Sequence, residues 1–369
     1  MEKIVGVIRG TDKFSSFHEV VEITQLHNRL LEALKKSGKE KSEFKIIIKP
    51  NMMVFVNQEN SRDVVTDYEL VECLVDHLIK SGFNNIIVCE AQNDVGRMLR
   101  NHNIEFVSKQ IGYKPKDRYK IVDLTLESVP YHYIYKNKKG KTVRWKDRVG
   151  RSWMEADFRI TFAKCKTHEH DWMTLGVKNV YGCFPRSNKV AVYHIKYEIF
   201  DVTARSLVNF PVHFSFVDAW VGSDGFQGYK IAHPQELKML FGGGDPIAVD
   251  MEIFKRAGLD PLKSIFLRKA VEQLYDGTYP NYTVKGDQNS QFSQLCDWKN
   301  IDDKIVKNIN VMEEIYIAWG FINLKAISAS ADYGMFPPKN FFYRLLVWLS
   351  KKLYAFFKLF KWYRKIYHR

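Results

Sequence analysis

Three stretches, FKIIIKPN (Phe44–Asn51), TDYELVECLVDHLIKSG (Thr66–Gly82) and NNIIVCE (Asn84–Glu90), decide the fold of this 369-residue chain. Phe44–Ile48 is a short, continuous, β-branched run, the pattern of a strand buried on both faces. Leu70, Leu74, Val75 and Leu78 then recur at helical spacing. Thr66 stands as the cap, Glu69 three positions on completes a capping box, and Gly82 ends the helix. Asn85–Cys89 is a second buried strand. A strand, a helix of crossover length and a strand make a β-α-β unit with parallel strands.

The same alternation extends outward. Lys3–Ile8 reads as a strand ended by Gly10, and Val20–Lys36 as a single helix with Val20, Val21, Ile23, Leu26, Leu30, Leu31 and Leu34 on one broad face. Tyr119–Leu124 reads as a strand. Tyr131–Tyr135 and Thr142–Trp145 read as a hairpin around the polar turn Asn137–Lys141. Further strands are expected at Phe158–Phe162, His213–Val217 and Leu237–Phe241, with helices near Ile195–Val208 and from Pro246 through Phe254 to Gly258. The expected class is α/β, a mainly parallel sheet with helices on both faces, plus a C-terminal amphipathic helix. No repeat or low-complexity linker divides the chain, so residues 1–338 read as one domain and 339–369 as an appended helix.

The net charge of +14 suggests nucleic acid until it is located. Residues 339–369 hold nine Lys or Arg and no acid, which leaves +5 for the other 338 residues. The excess belongs to one tail, which argues against a general basic groove for nucleic acid. The five cysteines, Cys73, Cys89, Cys165, Cys183 and Cys296, are scattered with no C-x-x-C pair. That spacing fits free thiols in a reducing compartment, and no iron–sulfur cluster is expected. The N-terminus, MEKIVGVIRG, lacks the apolar stretch of a signal peptide, and no apolar run approaches the ~20 residues of a membrane span.

Five strand patterns run directly into polar side chains: Lys49-Pro50-Asn51; Glu90 and Asn93; Lys164, Lys166, Thr167, His168 and His170; Asp218; and Gly242–Asp245. The carboxyl ends of parallel strands lie together and are where α/β proteins bind ligands, so parallel neighbours would bring these loops into one cleft. Each piece also has an ordinary reading: Lys49-Pro50-Asn51 as a strand exit, Asp245 before Pro246 as a helix cap, and His194, His213 and His233 as satisfied structural groups. His168 and His170 lack a distinctive third ligand, so a metal is weakly signalled and its identity unknown. The Lys164–Asn179 stretch is harder to dismiss. It gathers Lys164, Lys166, His168, His170, Lys178 and Asn179 with few acids, a set suited to a carboxylate or phosphate.

Those residues carry a family resemblance. IIIKPN (Ile46–Asn51), VTDYELVE (Val65–Glu72), ADFRITFAKCKTH (Ala156–His168), LGVKNVYG (Leu175–Gly182) and GGGDPIAVD (Gly242–Asp250) resemble, in order, the domain-of-unknown-function family numbered 362. The resemblance implies an α/β domain whose polar motif residues fall on Lys49, Asn51, Asp67, Lys164, Lys166, His168, Lys178, Asn179, Asp245 and Asp250. Many members resemble iron–sulfur proteins through ferredoxin-type cysteine clusters. This chain has none, so electron transfer does not carry over to it.

From Phe342 to Tyr367 the tail's apolar residues recur every three or four positions, while Arg344, Lys351, Lys358 and Lys365 stand one heptad apart on the opposite face. A basic helix with an aromatic apolar face suits the plane of an anionic membrane surface. Docking on its own domain or in a homodimer is the competing destination, but that needs no such excess of cations. The combined expectation is a cytoplasmic protein, peripheral on the inner membrane surface, that binds a small anionic ligand, its cofactors unknown. In it Lys49, Asn51, Glu90, Lys164, Lys166, Lys178 and Asn179 bind substrate, and His168, Asp218 and Asp245 take catalytic roles. The alternative is a non-catalytic binding or scaffold module gripping a phosphate- or carboxylate-bearing partner.

Overall fold

The computed structural model describes residues 2–52, 64–94, 96, 99–137, 139–168, 171–189, 192–193, 199–224, 233–292 and, near the C-terminus, 339–345, 348, 349 and 352. The strands are β1 (Ile4–Arg9), β2 (Ile46–Pro50), β3 (Ile86–Glu90), β4 (Lys120–Asp123), β5 (Ser128–Lys136), β6 (Thr142–Gly150), β7 (Phe158–Thr167), β8 (Met173–Thr174), β9 (Phe214–Asp224), β10 (His233–Gln235), β11 (Met239–Gly243) and β12 (Thr283–Gly286). The helices are α1 (Lys13–Ile23), α2 (Leu26–Ser37), α3 (Tyr68–Lys80), α4 (Ile104–Ile111), α5 (Arg151–Glu155), α6 (Gly176–Asn179), α7 (Ile199–Asn209), α8 (Pro246–Arg256) and α9 (Ile265–Leu274).

One sheet runs in the order β12-β1-β11-β9-β7-β2-β3-β4, with β10 added on β9 and β8 on β7; β5 and β6 form a separate hairpin. The neighbours β9, β7, β2, β3 and β4 are all parallel. All ten residues of the central strand β7 are buried, the polar Arg159, Thr161, Lys164, Lys166 and Thr167 among them. Side chains alternate across the sheet and create two cores. Ile46, Ile48, Ile160 and Phe162 pack beneath α1–α4. Ile47, Cys89, Ala163 and Val217 face α7–α9 and the β5–β6 hairpin. The chain is therefore α/β with a mainly parallel sheet covered on both faces.

Three local expectations need correction. The helix over Val20–Lys36 is two helices: Gln25 adopts a left-handed φ of 57°, and the Thr24 hydroxyl donates back to the Val20 carbonyl at 2.5 Å. Asp67, and not Thr66, caps α3, its carboxylate accepting from the Glu69 N–H at 3.0 Å. Finally, β11 runs antiparallel to both β1 and β9. A buried strand carries the same apolar pattern in either direction, so periodicity does not report which way it points.

Candidate functional site

Strands β9, β7, β2 and β3 end side by side, and their exits bring two lysine–carboxylate pairs into the interior. Lys164 Nζ lies 2.8 Å from Asp218 Oδ2, and Lys49 Nζ lies 2.8 Å from Glu90 Oε2. None of the four side chains is more than 5% exposed. Lys164 continues the Ile160–Phe162 face of β7, whereas Lys49 follows Ile47 on the other face of β2, so the pairs flank the sheet at its carboxyl edge.

Each pair is held by further bonds. Asp218 Oδ2 also accepts from the Asp67 N–H at 2.9 Å, and its Oδ1 accepts from the Trp220 N–H at 3.0 Å. Asp67 in turn pairs with Lys13 at 2.6 Å, and Lys13 reaches Glu69. On the other face, Lys49 donates to the Pro50 carbonyl at 2.7 Å and to Asn179 Oδ1 at 3.2 Å. The Asn179 amide returns bonds to the Lys49 carbonyl (2.8 Å) and the Thr161 hydroxyl (2.9 Å). Lys166 joins this edge by donating to the Val64 carbonyl at 2.8 Å and to Asn51 Oδ1 at 3.4 Å. Thr66 links the strands: its hydroxyl accepts from the Asn51 N–H at 2.9 Å and donates to the Phe162 carbonyl at 2.7 Å.

Lys49, Asn51, Asp67, Glu90, Lys164, Lys166, Asn179 and Asp218 thus share the carboxyl edge of the sheet, with the Lys164–Asp218 pair on one face and the Lys49–Glu90 pair on the other. His168 sits just beyond β7, partly exposed, in the turn to β8, where its N–H donates to the Trp172 carbonyl at 3.2 Å. His170 and Glu169 lie outside the described residues, as do His194 and Cys296. Lys178 is turned toward α9, its Nζ 5.7 Å above the Phe266 ring.

Asp245 does not join the group. Because β11 is reversed, Gly244 and Asp245 emerge at the opposite end of the sheet, beside a cavity of about 780 Å³ that Lys3, Arg29, Asp157 and His213 also line. There Asp245 caps α8, accepting from the Ile247 N–H at 3.0 Å, and bonds the Tyr275 hydroxyl. Asp250 has a supporting part: its two oxygens accept from the Gly176 and Val177 N–H groups at 2.9 and 2.8 Å, fixing α6 and hence Asn179.

One participant carried no signal in the sequence. Lys189 is buried and donates to the Gly182 carbonyl at 2.8 Å and the Ala91 carbonyl at 3.5 Å. Burial pushes its ammonium down to about 8, partly opposed by the nearby Glu90 charge. Gly182 makes the close approach possible: a Cβ there would lie 2.6 Å from Glu90 Oε1 and 2.7 Å from Lys49 Nζ. Cys89 and Cys183 share this face of the sheet as free, buried thiols; burial and the Cys183 side chain hold the Cys89 thiol well above its ordinary value. Among the described residues no group of three or more His, Cys, Asp or Glu is arranged to hold a metal.

Fold and site together define a class: a mainly parallel α/β domain with a buried polar cluster at its strand ends. The chain belongs to the family described as domain of unknown function (DUF362), whose model matches residues 46–255. The thylakoid-associated protein sll1697 of Synechocystis is 30% identical over 122 residues, 31% of this chain and 36% of that protein. The match thus spans about a third of that relative's length. Among solved structures, a Thermotoga maritima protein aligns over 57% of this chain and 53% of its own, at 13% identity and a TM-score of 0.31. The lactate racemase apoprotein from Thermoanaerobacterium thermosaccharolyticum aligns over 68% of this chain and 56% of its own, at 11% identity and a TM-score of 0.38.

Proposed function

We propose that the strand-end cluster binds a small molecule bearing a carboxylate or phosphate, and that the protein works at an anionic membrane surface. One observation carries the site reading: four adjacent parallel strands deliver two buried lysine–carboxylate pairs to the edge where α/β sheets take ligands. Such pairs are poor stabilisers, since well-packed apolar replacements are often neutral or better by about 1–4 kcal/mol. Two of them at this edge are better explained by chemistry than by stability. Lys189, at about 8, is suited to moving a proton near neutrality, and His168 adds an imidazole at the exit of β7. A non-catalytic module is the second reading. Its support is that Glu90 and Asp218 already match Lys49 and Lys164, an arrangement suited to fixed gripping.

The test is native mass spectrometry of the purified full chain, followed by titration with inorganic phosphate and simple carboxylates. A bound species should disappear in Lys164→Gln and persist in His168→Ala. Loss of turnover in the His168 variant with binding retained supports catalysis, and turnover unchanged supports the gripping module. A chain that carries nothing and ignores every titrant overturns the site reading.

The membrane reading rests on the tail. Among the described residues no helix is long and apolar enough to cross a membrane. Residues 341–345 are helical, and Phe341, Phe342, Leu345, Trp348 and Leu349 are exposed among the tail's nine cations. Apolar side chains open to solvent beside unopposed cations suit an in-plane helix on the inner face of a membrane bounding the cytoplasm. The name of the thylakoid-associated relative agrees with such a setting.

A further inference from the structure

The tail is not the only concentrated charge. Residues 128–150, the β5–β6 hairpin and its turn, hold seven Lys or Arg and a single acid, Asp147. Taking this +6 and the tail's +9 from the overall +14 leaves −1 for the rest of the chain. The one acid is spent inside: Asp147 is buried, accepts from Arg186 at 2.5 Å and from the Tyr193 hydroxyl at 2.8 Å.

The hairpin register sorts the rest. His132 opposes Lys146, Ile134 opposes Arg144 and Lys136 opposes Thr142, and all six are exposed on the outward face. Lys136 pairs with Asp276, whereas Lys139, Lys141, Arg144 and Lys146 have no carboxylate within 4 Å among the described residues. The inward face holds the aromatics. Tyr131 packs against Phe210 with ring centroids 4.8 Å apart, and Tyr133 against Trp145 at 5.3 Å, both tilted. The free edge of β5 is closed by side-chain amides, Asn209 bonding Ile134 (2.9 and 2.8 Å) and Gln273 bonding Lys136 (2.9 and 2.7 Å). The hairpin is thus a rigid plate with a cationic outer face, and Ile134, 43% exposed, stands at its centre.

We infer that this outer face is a second membrane contact, taking the phosphates of an anionic leaflet while Ile134 enters between headgroups. The inference rests on the membrane reading above. Lipid is favoured over single-stranded nucleic acid because base stacking needs exposed aromatics, and here they are packed inward. Lipid is favoured over an added strand because side chains already occupy the β5 edge.

Sedimentation of the full chain with vesicles of phosphatidylcholine, with and without about a quarter phosphatidylserine, tests it. Lys139→Gln/Arg144→Gln/Lys146→Gln should lower the partition constant on anionic vesicles by about tenfold or more and leave neutral vesicles unaffected. Ile134→Asp should reduce the binding that survives high salt. These side chains are exposed, so unchanged circular dichroism and melting are expected of both variants. If the hairpin variants bind like the parent while Lys351→Glu/Lys358→Glu/Lys365→Glu does not, the hairpin contact is wrong and the membrane reading stands. If the parent ignores anionic vesicles at low salt, both fall. If the hairpin variant instead loses binding to a single-stranded oligonucleotide that vesicles do not displace, the face serves nucleic acid and the inference is overturned.

Discussion

His213 Nδ1 accepts a hydrogen bond from the Arg159 N–H at 3.0 Å, and its ring stacks on Phe158 with centroids 5.0 Å apart. Burial first, and then the Arg159 charge, pushes this imidazole down to about 4. In the unfolded chain it takes up a proton near 6.5, so between about 6.5 and 4 the unfolded state binds more protons. Its contribution to stability is therefore complete above about 6.5 and lost as the pH falls toward 4. The melting temperature should decline over that interval, and His213→Asn, which keeps an acceptor near the Nδ1 position, should flatten the decline. Lys189 shows the same conflict at higher pH. Its ammonium is held at about 8 against an ordinary 10.5, so the penalty of burying it is full below pH 8 and relieved as pH rises to about 10.5. Lys189→Met should stabilise the protein at pH 7 by on the order of 1–3 kcal/mol in urea titrations, at the expense of ligand handling. Unchanged or lower stability would show that Lys189 is better solvated than its surroundings imply.

The site depends on how elements are joined as much as on the residues themselves. α6 is a single short turn, and Asp250 of α8 holds its first two N–H groups. Burial pushes the Asp250 carboxyl up to about 8, with those two N–H bonds opposing. Asp250→Ala leaves both N–H groups buried without that acceptor and should cost about 2–5 kcal/mol by denaturant titration, with the ligand site weakened in parallel. Gly182→Ala works through space instead. Its Cβ would press against Lys49 and Glu90, and a loss of about 1–3 kcal/mol is expected. At this scale the sequence was legible unevenly. The strands and the α3 crossover followed from periodicity. The break at Gln25 did not, because a left-handed residue other than glycine leaves no mark in an apolar pattern. The choice of Asp67 over Thr66 as cap was also hidden, since Thr66 is drawn away to bond Asn51 and Phe162 across the sheet.

For the whole molecule, charge is the organising quantity. The tail is rooted by residue 339, whose Nζ donates to the Gly96 carbonyl at 3.0 Å and whose carbonyl accepts from Arg100 at 3.2 Å. Deleting 340–369 leaves those bonds in place. It should move the protein from the membrane to the soluble fraction while shifting the melting temperature by no more than about 2 °C, as for other surface changes. Parent binding to anionic vesicles should weaken with salt without vanishing, because screening removes the charge attraction and leaves the apolar one. A large drop in melting temperature on deletion, without any vesicle binding by the parent, would mean that the tail docks on protein.

The amino-acid sequence by itself determined the α/β class, the positions of the buried strands, the family, and the concentration of positive charge in the tail. All of these are written in composition, local periodicity or contiguous motifs. Only the tertiary structure decided what the polar residues do. Lys164 meets Asp218 across 54 positions and Lys49 meets Asn179 across 130, distances over which no local pattern carries information. The reversal of β11 sent Asp245 to the far end of the sheet and made it a helix cap, because strand direction is set by pairing with β1 and β9. Lys189 gained its depressed proton affinity chiefly from burial, and burial is a property of everything packed around it.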